Sequence, residues 1–315
     1  MPSLERIREL YPEPPSPTPD SRARARRLLA ARLEQRPRRR LSKRAVLPAA
    51  GLAVAATAAV VALVGIGDEA AIDARAATVL RQAAEHAKAQ KIPGDGPVLY
   101  VKSINAYMAT SGERDFSVLE PHTREEWVGP RGGRVRSTTG TPQFLSERDR
   151  RNWIAAGRPK IADGRNFDMP IPRGERNELP GDPDALFDEL EDRSRGHSEG
   201  TYREMFTLAG DAFRATNITP AVRAALYEVV ARIPGVELVG PVEDPVGRPG
   251  VAVAMDHPAQ DTRHTLVIDP ETGTMLSEQQ VTLEKNFYGY PAGTVVGHST
   301  YVVTAMVESV GTRHK

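Results

Sequence analysis

Two short segments carry side chains whose types and spacing could do chemistry. His257, Asp261 and His264 lie within eight residues, and imidazole and carboxylate groups bind metal ions or act as acids and bases. His298 beside Ser299 would pair a base with a nucleophile. The first set is expected on a solvated loop, because a proline turn is expected there. His298 and Ser299 would be neighbours on a strand, so their side chains would point to opposite faces and could not pair. We therefore predict no catalytic, cofactor-binding or metal-binding residue, and no cofactor.

Acidic residues cluster around one predicted helix, at Asp182, Asp184, Asp188, Glu189, Glu191 and Asp192. Asp184 and Asp188 would share a helix face at i, i+4, and calcium uses such ligands, but the sequence has no EF-hand loop with its fixed glycine. Carboxylates near a helix N-terminus are favoured by the helix dipole. We interpret the cluster as a solvated helix face.

The sequence lacks both the common catalytic motifs and cysteine. It has no G-x-S-x-G, no phosphate-binding glycine loop and no H-E-x-x-H. The absence of cysteine excludes disulfides, a lipid-modified N-terminal cysteine and zinc sites that use thiolates. These observations predict that the protein is not an enzyme, with a hydrolase acting near His257 or His298 as the catalytic alternative.

The strongest pattern among the structural elements is residues 45–67, AVLPAAGLAVAATAAVVALVGIG, which carry no charge and follow the basic block PRRRLSKR. An α-helix of about 20 apolar residues crosses roughly 30 Å of hydrocarbon and satisfies its own backbone groups there. The pattern predicts a single transmembrane helix in a lipid bilayer. It divides the chain into segments 1–44, 45–67 and 68–315.

The charges on either side of the predicted span are asymmetric. Residues 1–44 hold 13 Lys and Arg against 5 Asp and Glu, whereas residues 68–315 hold 29 against 36. Basic residues close to a span stay on the cytoplasmic side. We therefore predict a cell-membrane protein with a cytoplasmic N-terminus and an extracytoplasmic C-terminal domain.

Two other interpretations of the span stay open. A signal peptide cleaved after Ala76 would use the small-x-small sequence Ala74-Arg75-Ala76, although the basic region and apolar core are long for one. A buried core helix is the other alternative. Gly51, Ala55 and Ala59 recur every four residues and would let two such helices pack together, so the oligomeric state is open.

The basic segment 1–44 predicts two short helices separated by a proline-rich stretch at 12–19, PEPPSPTP. Isolated helices of this length are marginal in water, so the segment is expected to be partly disordered. It either docks on a cytoplasmic partner or lipid surface, or simply holds the N-terminus inside. Direct binding of nucleic acid is not expected.

Segment 68–315 predicts one α+β domain in which helices pack on one face of an antiparallel sheet. Apolar periodicity indicates helices over 73–90, 182–193, 201–215 and 219–233. Alternating β-branched and aromatic residues indicate strands over 98–108, 123–128, 134–139, 236–239, 251–255, 265–268, 275–283 and 300–307. Region 140–180 is polar and has no clear pattern beyond Trp153 as an anchor.

The arrangement resembles a family of actinobacterial single-pass membrane proteins that have no established activity and whose genes often sit beside extracytoplasmic-function sigma factors. The resemblance is carried by AATVLRQAAEHA after the span, ELPGDPDALFDEL at 178–190, TPAVRAALYEVVARIPGVELVG at 219–240 and VIDPETGTMLSEQ at 267–279. It implies an anti-sigma-like membrane protein. The chain departs from zinc-binding anti-sigma proteins because it lacks cysteine and its cytoplasmic part is short.

Two functions follow as hypotheses. In the first, the extracytoplasmic domain senses a ligand or protein partner, and the chain regulates a sigma factor inside the cell. In the second, the chain is a membrane-anchored envelope binding module without a signalling role. The identity of the ligand or partner is not determined by the sequence.

Overall fold

The computed structural model describes residues 71–111, 115–160, 166–173, 179–215, 218–284 and 289–314. The predicted segment 1–44, the predicted span 45–67 and its Gly51, Ala55 and Ala59 spacing lie outside the described residues. Within the described ranges, no helix is both long enough and apolar enough to cross a membrane.

The described residues form five helices, namely α1 Ala74–Ala89, α2 Glu147–Ala155, α3 Pro183–Ser194, α4 Thr201–Arg214 and α5 Pro220–Val230. Local capping explains where most of them begin. The Asp73 side chain accepts a hydrogen bond from the backbone N–H of Arg75 at the start of α1, and Thr219 caps α5 through the N–H of Val222. Pro220 occupies the first position of α5, where its missing N–H costs nothing.

The same part of the chain forms ten strands, namely β1 Val98–Ser111, β2 Phe116–Leu119, β3 His122–Gly129, β4 Gly132–Thr139, β5 Phe167–Ile171, β6 Glu237–Glu243, β7 Pro249–His257, β8 Thr262–Asp269, β9 Thr274–Thr282 and β10 Val295–Val307. Their order in the sheet is β5-β4-β3-β1-β10-β9-β8-β7-β6, and β2 pairs with the end of β1. Every pairing is antiparallel. The predicted α+β class and antiparallel sheet are confirmed.

The main core lies between the helices and the β6 to β9 half of the sheet. Helix α1 contributes its alanine stripe with Leu80, helix α5 contributes Leu226, and the sheet contributes Val253 and Leu266, all fully or almost fully buried. Apolar burial of this kind stabilises by roughly 25 cal/mol per Å². The helical layer is therefore fixed to one half of the sheet.

The hairpin between β8 and β9 locks into this helical layer. Gly273 has a φ of +66°, and a Cβ at this position would overlap the Ala83 carbonyl of α1. The buried Tyr227 hydroxyl donates a hydrogen bond to the Gly273 carbonyl over 3.1 Å. The predicted tight turn at 269–273 thus also serves as a tertiary contact.

The opposite face of the sheet has its own small core, covered by the C-terminal segment. The rings of Tyr100 and Trp127 stack with centroids 5.2 Å apart. The Trp127 indole donates to the Thr312 carbonyl, and Arg313 donates two hydrogen bonds of 2.6 Å to the Glu125 carboxylate. These contacts hold the end of the chain against β1 and β3.

Several elements differ from the sequence predictions. Strand β2, helix α2 and strand β5 were not predicted, and the last two fall in the polar region 140–180. Helix α2 begins at a Ser146 cap and packs its Trp153 ring against Phe144 at 5.2 Å, so Trp153 is an anchor as expected. Helix α2 and strand β5 lack strong apolar periodicity because few of their residues are buried. All four residues of β2 are buried, but the strand is too short to show a period.

Candidate functional site

A polar groove begins where helix α4 ends. Helices α1, α3, α4 and α5 lie over the β6 to β9 half of the sheet. Beyond Arg214 the same sheet face continues onto β10, β1 and β3 with mostly polar side chains. The groove has a volume of about 480 Å³ and is lined in part by Tyr107, Arg124, Glu126 and Ser299. Its polar character distinguishes it from the apolar core on the same face.

The wall of this groove is built around an ion pair between Arg214 and Glu278. Glu278 is 6% exposed, and burial raises its pKa even though the Arg214 guanidinium opposes the shift. Arg214 also pairs with Asp211 on its own helix. A Cβ on Gly210 would lie 2.9 Å from the Glu278 carboxylate, so the absent side chain lets α4 approach the pair.

Tyrosine hydroxyls line the floor between β1 and β10. The Tyr107 hydroxyl lies 2.7 Å from the Ser299 hydroxyl across the two strands. The Tyr301 hydroxyl is buried and has no hydrogen-bond partner among the described residues, and burial raises its pKa well above the ordinary value. An unsatisfied buried hydroxyl is costly and is commonly found where a ligand or water completes the site.

A cavity of about 210 Å³ adjoins the groove, and Arg214 and Tyr301 line both spaces. It forms because β9 and β10 separate. Their pairing ends at Thr300 opposite Ser277, although β10 continues to Val307. The cavity therefore opens between two strands that are neighbours elsewhere in the sheet.

Three guanidinium groups line this cavity, and among the described residues only Arg223 has no carboxylate partner. Arg214 pairs with Glu278, and Arg248 pairs with the buried Asp244 at 2.5 Å. The Arg223 guanidinium of α5 donates a hydrogen bond of 2.7 Å to the Gln90 side-chain oxygen. No described carboxylate forms an ion pair with Arg223. Burial lowers the pKa of Arg223, but an arginine stays charged at neutral pH. The cavity thus carries an uncompensated positive charge.

The prediction that His257 and His264 lie on a solvated loop is wrong. Both are on paired strands and are 2% and 4% exposed, with their rings stacked 3.9 Å apart. The His257 Nδ1 lies 3.0 Å from the Glu199 carboxylate, whereas neither His264 nitrogen has a hydrogen-bond partner in the described part of the chain. The register of β7 and β8 turns both rings inward.

Asp261 is not part of this histidine pair. It lies in the turn between β7 and β8 with a φ of +53°, and its backbone and carboxylate oxygens accept the N–H groups of Leu283 and Glu284. In the part of the chain that the structure describes, no group of three or more His, Asp or Glu is arranged to hold a metal ion.

The other predicted chemical groups are also separated or paired. The His298 Nδ1 lies 3.0 Å from the Thr300 hydroxyl, whereas the Ser299 hydroxyl contacts Tyr107. The acidic cluster forms ion pairs at the surface, including Glu189 with Arg193 and Asp184 with Arg232. Arg223 was not predicted as a site residue. It lies in an amphipathic helix pattern, and the neighbouring residues in the sequence do not show that Arg223 has no carboxylate partner in the fold.

Comparisons with known proteins give only a distant structural likeness. No protein-family model matches the chain, and no curated protein matches it either. A crystal structure of MucB in complex with MucA(peri) matches at 14% identity and a TM-score of 0.29, over 75% of this chain and 57% of that one. The Pseudomonas aeruginosa MucA/MucB complex matches at 15% identity and a TM-score of 0.26, over 76% and 59%. The chain thus spans less than two thirds of the structures it matches, and such scores do not establish a shared function.

Proposed function

We propose that this chain is a membrane-anchored binding protein whose extracytoplasmic domain holds a ligand or protein partner in the groove along β10, β1 and β3. The observation that carries the proposal is the end of the helical layer at Arg214, beside a polar groove and a cavity with an unpaired guanidinium. Concave sites with a few convergent polar groups are the usual places for ligands.

The contacts within the site favour binding over catalysis. A nucleophilic serine needs a base within hydrogen-bond reach. Ser299 instead contacts a tyrosine hydroxyl, and the stacked histidines lie under the helical layer, where Glu199 is the polar partner of His257. The groove presents hydroxyl, carboxylate and guanidinium groups that can hold a ligand.

A photo-crosslinking residue placed in the groove tests the proposal. Arg124 lines the groove, whereas its neighbour Thr123 points to the other face of β3. In cells that produce the full chain, we expect a discrete crosslinked adduct from position 124 and not from position 123. The proposal fails if neither position gives an adduct, or if both give the same one.

The membrane anchor and topology belong to the same proposal and rest on the sequence of 45–67 and its basic flank. A reporter that works only in the cytoplasm, fused at residue 100, should be inactive. Activity at that position would contradict the assignment of the groove to the extracytoplasmic side.

Sigma-factor regulation is the more specific version, supported by the sequence resemblance described above. If the chain signals, residues 1–44 should capture a sigma factor, and their deletion should change sigma-dependent transcription. If the chain only anchors a binding module, replacing 1–67 by an unrelated span should leave groove crosslinking and function intact. Unchanged transcription after the deletion would remove the regulatory version and leave the binding module.

A further inference from the structure

We propose that the cavity between β9 and β10 binds the C-terminal residue of a peptide, with the carboxylate on Arg223 and the peptide backbone on the open edge of β10 at Thr304. The inference rests on the proposed binding function and names the class of ligand. It uses three features of one cavity, which are a charge, a strand edge and an apolar wall.

The charge favours a monoanion. Arg223 is half-buried, and Gln90 satisfies one of its five N–H donors. The Gln90 amide is itself fixed, because its nitrogen donates to the Thr274 hydroxyl over 2.5 Å. The other two guanidinium groups in the cavity already have carboxylates. One planar cation with free donors matches one carboxylate in charge and geometry.

The strand edge supplies a backbone donor and acceptor. Met306 on β10 donates its N–H to the Pro93 carbonyl over 2.7 Å, on the side away from β1. The register with β1 is regular from Val303 to Val307, so Thr304 points its N–H and C=O to the same side as Met306. Among the described residues, no turn or loop backbone group and no side chain bonds these two groups of Thr304, and Thr304 lines the cavity. An added peptide residue can pair with both, as in recognition by strand addition.

The apolar wall and the volume of the cavity limit which ligand group fits beside Arg223 and the Thr304 backbone. Ile92, Phe213 and Met275 line the cavity together with the polar groups. Its volume of about 210 Å³ is below the roughly 300–1,000 Å³ of sites that enclose drug-sized ligands. The space suits one apolar side chain with its carboxylate, and the rest of the peptide would extend into the adjoining groove.

Inorganic phosphate and the C-terminal segment of the chain itself match the cavity less well than a separate peptide does. Inorganic phosphate offers neither an N–H for the Thr304 carbonyl nor an apolar group for the wall. The C-terminal segment of the chain itself is held on the other face of the sheet through Trp127 and Glu125. A separate peptide with a free C-terminus uses all three features.

The test compares a peptide acid with its amide. The full chain, purified in detergent, is titrated calorimetrically with the tripeptide acetyl-Ala-Ala-Val bearing a free carboxylate, and with the same peptide as a C-terminal amide. We expect the acid to bind at least about tenfold more tightly, the ratio typical of one charge-assisted hydrogen-bonded contact. Inorganic phosphate should not compete.

Three variants at two arginines of the same helical region make the test specific. Arg223→Gln should remove the preference for the acid, and Arg223→Lys should keep part of it because the charge remains without the planar fork. Arg232→Gln is the matched control, because Arg232 pairs with Asp184 at the surface and lies outside the cavity. Circular dichroism establishes that each variant is folded.

The inference is overturned if folded wild-type protein binds acid and amide equally, if it binds neither, or if Arg223→Gln keeps the preference. Competition by phosphate at equal concentration would replace the peptide with an inorganic anion. Crosslinking from position 124 in cells, without peptide binding in the titration, would reject this ligand class while the proposed binding function stands.

Discussion

Acidification should destabilise the domain through His264. This histidine is 4% exposed, its ring stacks on His257, and no described residue forms a hydrogen bond with either of its nitrogens. Burial, reinforced by the neighbouring His257, lowers the pKa of His264 from 6.5 to about 4. Glu199 and Arg214 are the other charged groups that act on it, with opposite signs.

The sign and size of the effect follow from proton linkage. The unfolded chain takes up a proton on His264 as the pH falls below about 6.5, whereas the folded chain resists protonation down to about 4. The contribution of His264 to stability is therefore complete above pH 6.5 and is lost progressively between pH 6.5 and 4. A pKa difference of roughly 2.5 corresponds to about 3 kcal/mol at the acid end of that range.

The variant His264→Phe isolates this contribution, because phenylalanine keeps a stacked ring and cannot titrate. Urea unfolding of the full chain in detergent, followed by tryptophan fluorescence at pH 7.5, 6, 5 and 4, gives the free energy of unfolding for each protein. Relative to wild type, the variant should gain about 3 kcal/mol between pH 7.5 and 4. Equal pH dependence of wild type and His264→Phe would refute the reasoning.

Three further substitutions test contacts that hold the fold. Gly273→Ala should cost about 2 kcal/mol or more, because the φ is +66° and the added methyl group meets the backbone of α1; a smaller loss in urea unfolding would contradict that close approach. Gly210→Ala should cost about 1–3 kcal/mol by displacing the Glu278 carboxylate, and an unchanged midpoint would argue against the tight approach of α4. Arg313→Gln should cost about 1 kcal/mol, since Arg313 is 58% exposed although Glu125 is buried; increased proteolysis of the C-terminal segment should accompany it.

Elements with a strong local signal were predicted well. Helix α5 follows from a threonine cap, a proline at its first position and one apolar face, and its prediction is confirmed as Pro220–Val230. Strands β7 to β9 have their predicted order and turn, although β7 and β8 are longer than predicted and β9 is shifted by one residue. Their polar ends pair in the sheet through backbone groups, which do not depend on an apolar side chain.

The candidate site could not be predicted in the same way. Arg223 sits in a helix whose periodicity indicates only burial, and its lack of a carboxylate depends on which loops and strands surround it. The histidine pair was placed on a loop because the sequence between the two residues contains proline. Strand register instead turns both rings toward the helical layer.

The sequence by itself determined the uncharged segment 45–67 with its basic flank, the α+β class and the positions of the capped helices, because each depends on neighbours along the chain. The tertiary structure alone decided where the helical layer stops, that β9 and β10 separate beyond Thr300, and that the cavity between them contains an unpaired guanidinium. These features bring together residues such as Gln90, Arg223 and Thr304, which are distant in sequence. Their juxtaposition depends on strand register and helix packing, and no local pattern records it.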